Sequence, residues 1–172
     1  MPIDQMLRDH PFLRGLEPKH IQALAGSACH RSYATGEHLW RQGEEADALY
    51  LICAGQVALE IYIPHQGPLH VDTTEAGEAL GWSWLVPPYQ WKFDARALTP
   101  VLTLSLDGEG LRRLAEKDHG LGYQLLKRFV PVIGRRLDVT RMRLLELHGI
   151  TGIKGVPADN RPPAAGRYSA DS

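Results

Sequence analysis

From Cys29 to Leu106 the chain is a succession of short alternating segments broken by turn residues, with no long helical period between them. That feature limits the fold more than any other, because strands this short need non-local partners and some means of closing their edges. Tyr33 to Gly43 reads as strand, turn, strand, turn. Leu49 to Ala54 is a strand, and Gly55-Gln56 leads it into Val57 to Ile63. Within that segment Val57, Leu59, Ile61 and Ile63 fall on one face by the two-residue period. Pro64 to Pro68 has the composition of a hairpin loop, Leu69 to Thr74 returns, and Val101 to Leu106 alternates again. The pattern predicts a mainly β domain with flanking helices, built as an antiparallel barrel or jelly roll (a double-stranded β-helix).

Helical patterns lie on both sides. Residues 3–26 read as two helices, with Asp4 placed to cap the first and Pro18 in the first turn of the second. Ile21, Leu24 and Ala25 give the second an apolar face. After the strands, Asp107 is placed to cap a short helix with Leu111 and Leu114 inward. From His119 to His148 the period is helical, and Pro131 is expected to divide it into one helix ending near Phe129 and another from Pro131 to Leu147. Ile133, Leu137, Leu144 and Leu145 recur near helical spacing in the latter. Arg135, Arg136, Arg141 and Arg143 are expected on its solvated face. Beyond Gly149 the chain is rich in Gly, Pro, Ala and Ser and is expected to be disordered. The organisation is therefore N-terminal helices at 1–27, a barrel at 28–106, C-terminal helices at 107–148 and a tail at 149–172.

Composition removes several function classes. The chain has 172 residues, 44% of them hydrophobic, and a net charge of −1. Nothing in that balance attracts nucleic acid or an anionic membrane over the whole surface. No apolar run approaches the roughly 18 residues that span a bilayer. Met1 to Gln5 lacks a basic start and an apolar run, so the expected compartment is the cytoplasm. Cys29 and Cys53 have no metal-ligand or redox spacing and read as buried thiols, with a disulfide between them as the alternative. The eight histidines are scattered and show no His-x-His grouping. Ser-nucleophile and P-loop signatures are likewise missing, so no enzyme chemistry is read and no metal ligand is assigned.

The stretch from Glu75 to Leu98 is the candidate site. It opens with Gly77-Glu78-Ala79-Leu80-Gly81, passes through a bend carrying Trp82, Trp84, Tyr89 and Trp91, and ends in an alternating strand from Phe93 to Leu98. It resembles the phosphate-binding cassette of the cyclic nucleotide-binding domain, found in Crp/Fnr regulators, kinase regulatory subunits and gated channels. That cassette reads Gly-Glu-x-Ala/Leu, a short helix, Arg-Ser/Thr/Ala, then a strand ending in Val-Arg/Lys-Ala. Gly77-Glu78-Ala79-Leu80 matches its start and Ala95-Arg96-Ala97 its end. Further fragments are similar in order and spacing: Gly36-Glu37 with Leu39, Gln42 to Asp47, Leu49 to Ile52, and Gly55-Gln56-Val57. The likeness covers roughly residues 10–148.

The resemblance implies a jelly-roll sensor domain that binds a small ligand and signals through its C-terminal helix. Its candidate ligand-binding residues are Gly77, Glu78, Ala79, Leu80, Gly81, Trp91 and Lys92. Glu78 is similar to the residue that takes the ligand's ribose hydroxyl. The backbone N–H groups of Ala79, Leu80 and Gly81 would cradle an anion at a helix start. Trp91 and Lys92 fall where the family has its phosphate arginine and that arginine's partner. An indole donates one hydrogen bond and no charge, so cyclic AMP or cyclic GMP is expected to bind weakly or not at all. The four aromatics of the bend are expected to fill the pocket as one small core, and Lys92, Asp94 and Arg96 to form an exposed charged strip.

Cofactors are none, with a cyclic nucleotide or another small anion as the only candidate ligand. The expected partners are that small molecule or a protein, and a second copy through the helix from Pro131 to Leu147. No membrane is expected, nor specific nucleic acid by this chain itself, since Pro157, Pro162 and Pro163 exclude a recognition helix from the last 23 residues. Two alternatives stay open: a degenerate, ligand-free dimerisation or interaction module, and, more remotely, a cupin-like metalloenzyme.

Overall fold

The computed structural model describes residues 1–150, so the expectation of a disordered tail falls outside the described residues beyond Ile150. The short strands pair into two four-stranded antiparallel sheets. The first has the order β1 (Ala28–Tyr33), β8 (Val101–Asp107), β3 (Ala48–Ala54), β6 (Ala79–Leu80). The second has the order β2 (His38–Trp40), β7 (Asp94–Ala97), β4 (Gln56–Ile63), β5 (Gly67–Glu75). Among the described residues only β4 and β5 form a hairpin in sequence order; the other pairings join strands distant in the chain. This is the mainly β jelly roll with flanking helices.

Alternation along the strands decides what each face meets. Leu49 and Leu51 of β3 and Leu104 and Leu106 of β8 are wholly buried on one side of the first sheet. The helices α1 (Ile3–Asp9) and α3 (Gly108–Lys117) pack on that sheet. The opposite faces of the two sheets turn toward each other. Tyr50, Ile52 and Val101 from the first join Trp40, Val57, Leu59, Ala95 and Ala97 from the second in one apolar cluster with Leu80 and Trp91. Burying side chains of this size contributes about 1.5–3 kcal/mol each, which is why a barrel of short strands closes without staples.

The helix ends show where local rules succeed and fail. Asp107 caps α3, its carboxylate accepting the Gly110 N–H at 2.6 Å. Pro18 opens α2 (Pro18–Ala25). Asp4, however, does not cap α1. Pro2 occupies that position, and Asp4 lies in the first turn, where it pairs with Arg8 one turn on at 3.3 Å. Asp118 Oδ1 accepts the Leu121 N–H at 3.2 Å at the start of α4 (His119–Leu147), and its Oδ2 accepts from His20 Nε2 at 3.1 Å. His20 Nδ1 is buried without a hydrogen-bond partner.

Pro131 lies inside α4 and does not end it. Proline deletes its own N–H bond and crowds one carbonyl, but the turns on either side keep their bonds. The chain divides into two units, 1–126 and Lys127 onward. In the second, Phe129 and Val139 are buried, while Val130, Leu137, Leu144 and Leu147 are exposed. Arg141 is exposed, but Arg135, Arg136 and Arg143 are half-buried and not on a fully solvated face. Long aliphatic stems readily cover apolar surface in this way. The two cysteines are free thiols. Cys53 is half-buried, but Cys29 is exposed, because β1 is an edge strand with an open pattern.

Candidate functional site

The segment from Glu75 to Leu98 does not open on a helix start. Gly77 has φ +91° and donates its N–H to Ile52 O at 2.7 Å. A Cβ there would sit 3.1 Å from the Pro11 ring, so the N-terminal segment closes directly on this turn. Glu78 lies in the same turn, where its carboxylate accepts the Glu75 N–H at 2.7 Å. Ala79 and Leu80 then form β6, paired with Leu51 and Tyr50 of β3, and both are buried. The backbone of Ala79 and Leu80 is thus sheet and not an open helical N-terminus, and Gly81 follows the strand at φ +85°. The short helix that follows is a single 3-10 turn at Ser83–Leu85. The pair that precedes it is Gly81-Trp82, with Trp82 at the N-cap and no side chain capping it. Glu78 therefore stands one strand earlier than the helix-start position read from the sequence.

The centre of the site is Trp91. Its indole is buried and stacks on Trp40, with ring centroids 3.9 Å apart and planes 14° apart. Trp40 is itself fixed by donating Nε1–H to Phe93 O at 2.8 Å, and Tyr50 tilts against it at 5.2 Å. Gly81, at φ +85°, passes beneath this stack. A Cβ on Gly81 would lie 2.7 Å from the Trp91 ring and 3.4 Å from Trp40. Glycine is required there twice over, for its left-handed backbone and for the space the indole takes. The Trp91 backbone is locked as well: its N–H donates to Glu44 O at 2.9 Å, and its carbonyl accepts from Gly43 N–H at 2.8 Å.

The four aromatics of the bend do not form one core. Trp91 enters the barrel cluster with Trp40 and Tyr50. Trp84 is wholly buried but on the α3 side, where a Cβ on Gly108 would lie 3.0 Å from its own Cβ. Tyr89, at φ +55°, carries the Arg112 guanidinium over its ring at 4.1 Å. The expected charged strip also divides. Lys92 is exposed. Asp94 is buried, held by Arg41 at 3.1 Å and by the Gln42 N–H at 2.7 Å. Arg96 makes a two-pronged contact with the buried Glu60, at 2.6 and 2.9 Å. These partners come from β4 and from the residues after β2, so a strand read alone could not have shown them.

Charge inside the barrel is not arranged for an anion. Directly paired residues of an antiparallel ladder share a face. Asp72 pairs with Leu59, and Thr74 with Val57, so β5 turns a carboxylate and a hydroxyl to the side that carries the barrel cluster. Both are buried, and Asp72 Oδ1 accepts the Thr73 N–H at 2.9 Å. Burial pushes the Tyr50 phenol far above its ordinary range, and burial likewise raises Tyr33, which hydrogen-bonds to it. Both phenols are neutral near pH 7. Trp40, Tyr50 and Asp72 were not singled out in the sequence. Only Asp72 left a local signal, a carboxylate inside an otherwise strand-forming run. Among the described residues no group of three or more His, Cys, Asp or Glu is placed to hold a metal. No described helix is long and apolar enough to cross a membrane.

The fold defined by these strands is a jelly roll with a turn-and-strand cassette between β5 and β7. Residues 30–118, more than half the chain, match the family model for the cyclic nucleotide-binding domain. The chain belongs to the cyclic nucleotide-binding domain family, whose members are regulatory and sensor domains. It is 26% identical over 145 residues to a CRP-like cAMP-activated global transcriptional regulator of Mycobacterium tuberculosis, covering 84% of this chain and 63% of that one. It thus spans less than two thirds of the length of that relative. Among solved structures, a Geobacter metallireducens protein assigned as cyclic nucleotide-binding is 28% identical with a TM-score of 0.70, covering 80% of this chain and 99% of that one. The regulatory subunit of a cAMP-independent protein kinase A from Trypanosoma brucei, a triple mutant with cAMP in its A site, is 28% identical with a TM-score of 0.59. That match covers 72% of this chain and 44% of the other.

Proposed function

We propose that this chain is a non-enzymatic regulatory sensor domain whose barrel is closed to cyclic AMP and cyclic GMP by its own tryptophans, and that it reports its state through α4. The observation that carries this is the Trp91 indole, stacked on Trp40 and lying against Gly81. In the cassette resemblance Trp91 takes the place of the arginine that holds the phosphate. A hydrogen bond to a charged partner is worth about 1.5–3 kcal/mol, so its loss weakens an anionic ligand roughly 10- to 150-fold. Asp72 on the barrel side adds a carboxylate where a cyclic phosphate would need a cation. The ligand class that suits such an interior is small, planar and uncharged, competing with Trp91 for the face of Trp40.

The second reading, a ligand-free dimerisation or interaction module, is favoured by the same filled interior and by the exposed apolar residues of α4. Val130, Leu137, Leu144 and Leu147 are open in the single chain and recur, with Ile133, at intervals of three, four and seven. Such a seam suits a second copy of the helix. Cytoplasmic location and the lack of specific DNA binding by this chain itself are part of the same proposal.

Titration calorimetry with cyclic AMP and cyclic GMP tests the first reading. The wild type is expected to give no saturable heat in the micromolar range, and micromolar binding would overturn it. A thermal-shift screen of uncharged planar compounds separates the two readings, since a binder at about 100 times its Kd adds about 2.7 kcal/mol of stability. A flat screen selects the ligand-free module.

A further inference from the structure

The turn at Ser83–Leu85 and the bend after it are held from outside the barrel by one side chain of α3. The carbonyl of Trp84 lies in a single 3-10 turn, in which Leu85 N–H donates to Trp82 O and Val86 N–H to Ser83 O. Arg112 Nη1–H donates to that carbonyl. The same guanidinium lies 4.1 Å from the centroid of the Tyr89 ring. Tyr89 closes the bend, its N–H donating to Val86 O at 2.9 Å, and its backbone sits in the left-handed region at φ +55°. One planar cation therefore joins the beginning and the end of the bend and fixes both to α3. Beyond Tyr89 the chain is strapped to the 43–46 loop, with Ala46 N–H donating to Tyr89 O at 2.7 Å and Trp91 N–H to Glu44 O at 2.9 Å. Before the bend, Gly108 at the start of α3 donates to Asp47 O at 2.7 Å and packs on Trp84.

We infer that Arg112 is the positioning residue that couples this bend, and through it the Trp91 indole, to α3 and to the start of α4. The inference holds whether or not the barrel takes a ligand. A shift of Tyr89 moves the strap that places Trp91, and Arg112 carries the same shift into α3. The last residue before α4, Asp118, then links α3 to α4 through its contact with the Leu121 N–H and to α2 through His20. A lysine cannot replace Arg112 fully. A guanidinium offers an edge donor to the carbonyl and a flat face to the ring at once, whereas an ammonium is a point charge.

Amide hydrogen exchange on the full chain tests it. Arg112→Met is expected to speed exchange at least tenfold in Ser83–Trp91 and in the first turn of α4, with β3 and β8 unchanged. Arg112→Lys should restore part of the protection. Tyr89→Leu, which leaves Arg112 in place, should open the same bend and serves if Arg112→Met does not fold. Unchanged exchange in the bend, or an equal acceleration across β3, β8 and the bend in both variants, would overturn the assignment, since a residue that only adds stability produces the uniform pattern.

Discussion

Replacing Gly81 by alanine isolates the contact on which the proposed function depends. Two costs are expected. At φ +85° an L-residue meets its own carbonyl, which costs roughly 1–2 kcal/mol. The new methyl would also lie 2.7 Å from two carbons of the Trp91 ring, a distance real Cβ atoms essentially never show. Overpacking of that kind costs roughly 1–3 kcal/mol. The sum for Gly81→Ala is about 2–5 kcal/mol. Trp91→Ala alone removes a buried aromatic and should cost about 3–5 kcal/mol. In the Trp91→Ala background, however, Gly81→Ala no longer meets the Trp91 ring and keeps only an ordinary contact with Trp40 at 3.4 Å, so mainly the backbone part remains. The double-mutant cycle should therefore show a favourable coupling of about 1–3 kcal/mol. Urea unfolding followed by far-UV circular dichroism measures it without relying on tryptophan emission. If the two changes add to within about 0.5 kcal/mol, the indole does not lie over Gly81 and the closed-barrel reasoning fails.

Other outcomes follow from separate contacts. Trp91→Arg should gain cyclic nucleotide affinity in calorimetry if the remaining cassette can still accept the ligand, and no gain would show that the sheet pairing of Ala79 and Leu80 is the larger obstacle. Arg96→Met should cost about 3–5 kcal/mol by stranding the buried Glu60, whereas the double change with Glu60→Gln should be milder; chemical denaturation of the three variants decides this. Burial lowers the pKa of His10, whose Nε2–H donates to Ile52 O at 3.0 Å while Nδ1 accepts the Phe12 N–H at 3.3 Å. The unfolded chain then takes the proton first, so this stability is full above about pH 6.5 and falls as pH drops below it. Urea midpoints at about pH 7.5 and 5.5 should differ less in His10→Gln than in the wild type. Leu137→Asp should convert a dimer to a monomer in sedimentation at micromolar concentration, and a wild type already monomeric there counts against the α4 seam.

What the sequence determined by itself is the kind of fold. Alternation from Cys29 to Leu106 with glycine at the turns allowed a barrel and little else, because a period of two specifies two faces and a short strand cannot bury either alone. The order of the fragments pointed to a candidate cassette, and the resemblance sets an indole, Trp91, where the family would carry a charge. The tertiary structure decided what that indole does. Trp40 is 51 residues away in sequence, and only the pairing of β2 with β7 brings its ring to Trp91. Period alone likewise could not show that Trp84 turns to α3, that Arg96 meets Glu60, or that Ala79 and Leu80 are a strand and not a helix start. Pro131 was read by a local rule that counts one lost hydrogen bond, while the helix answers to all of its turns. Local patterns fix which side chains share a face, and long-range pairing fixes what that face meets; the function proposed here lies in the second.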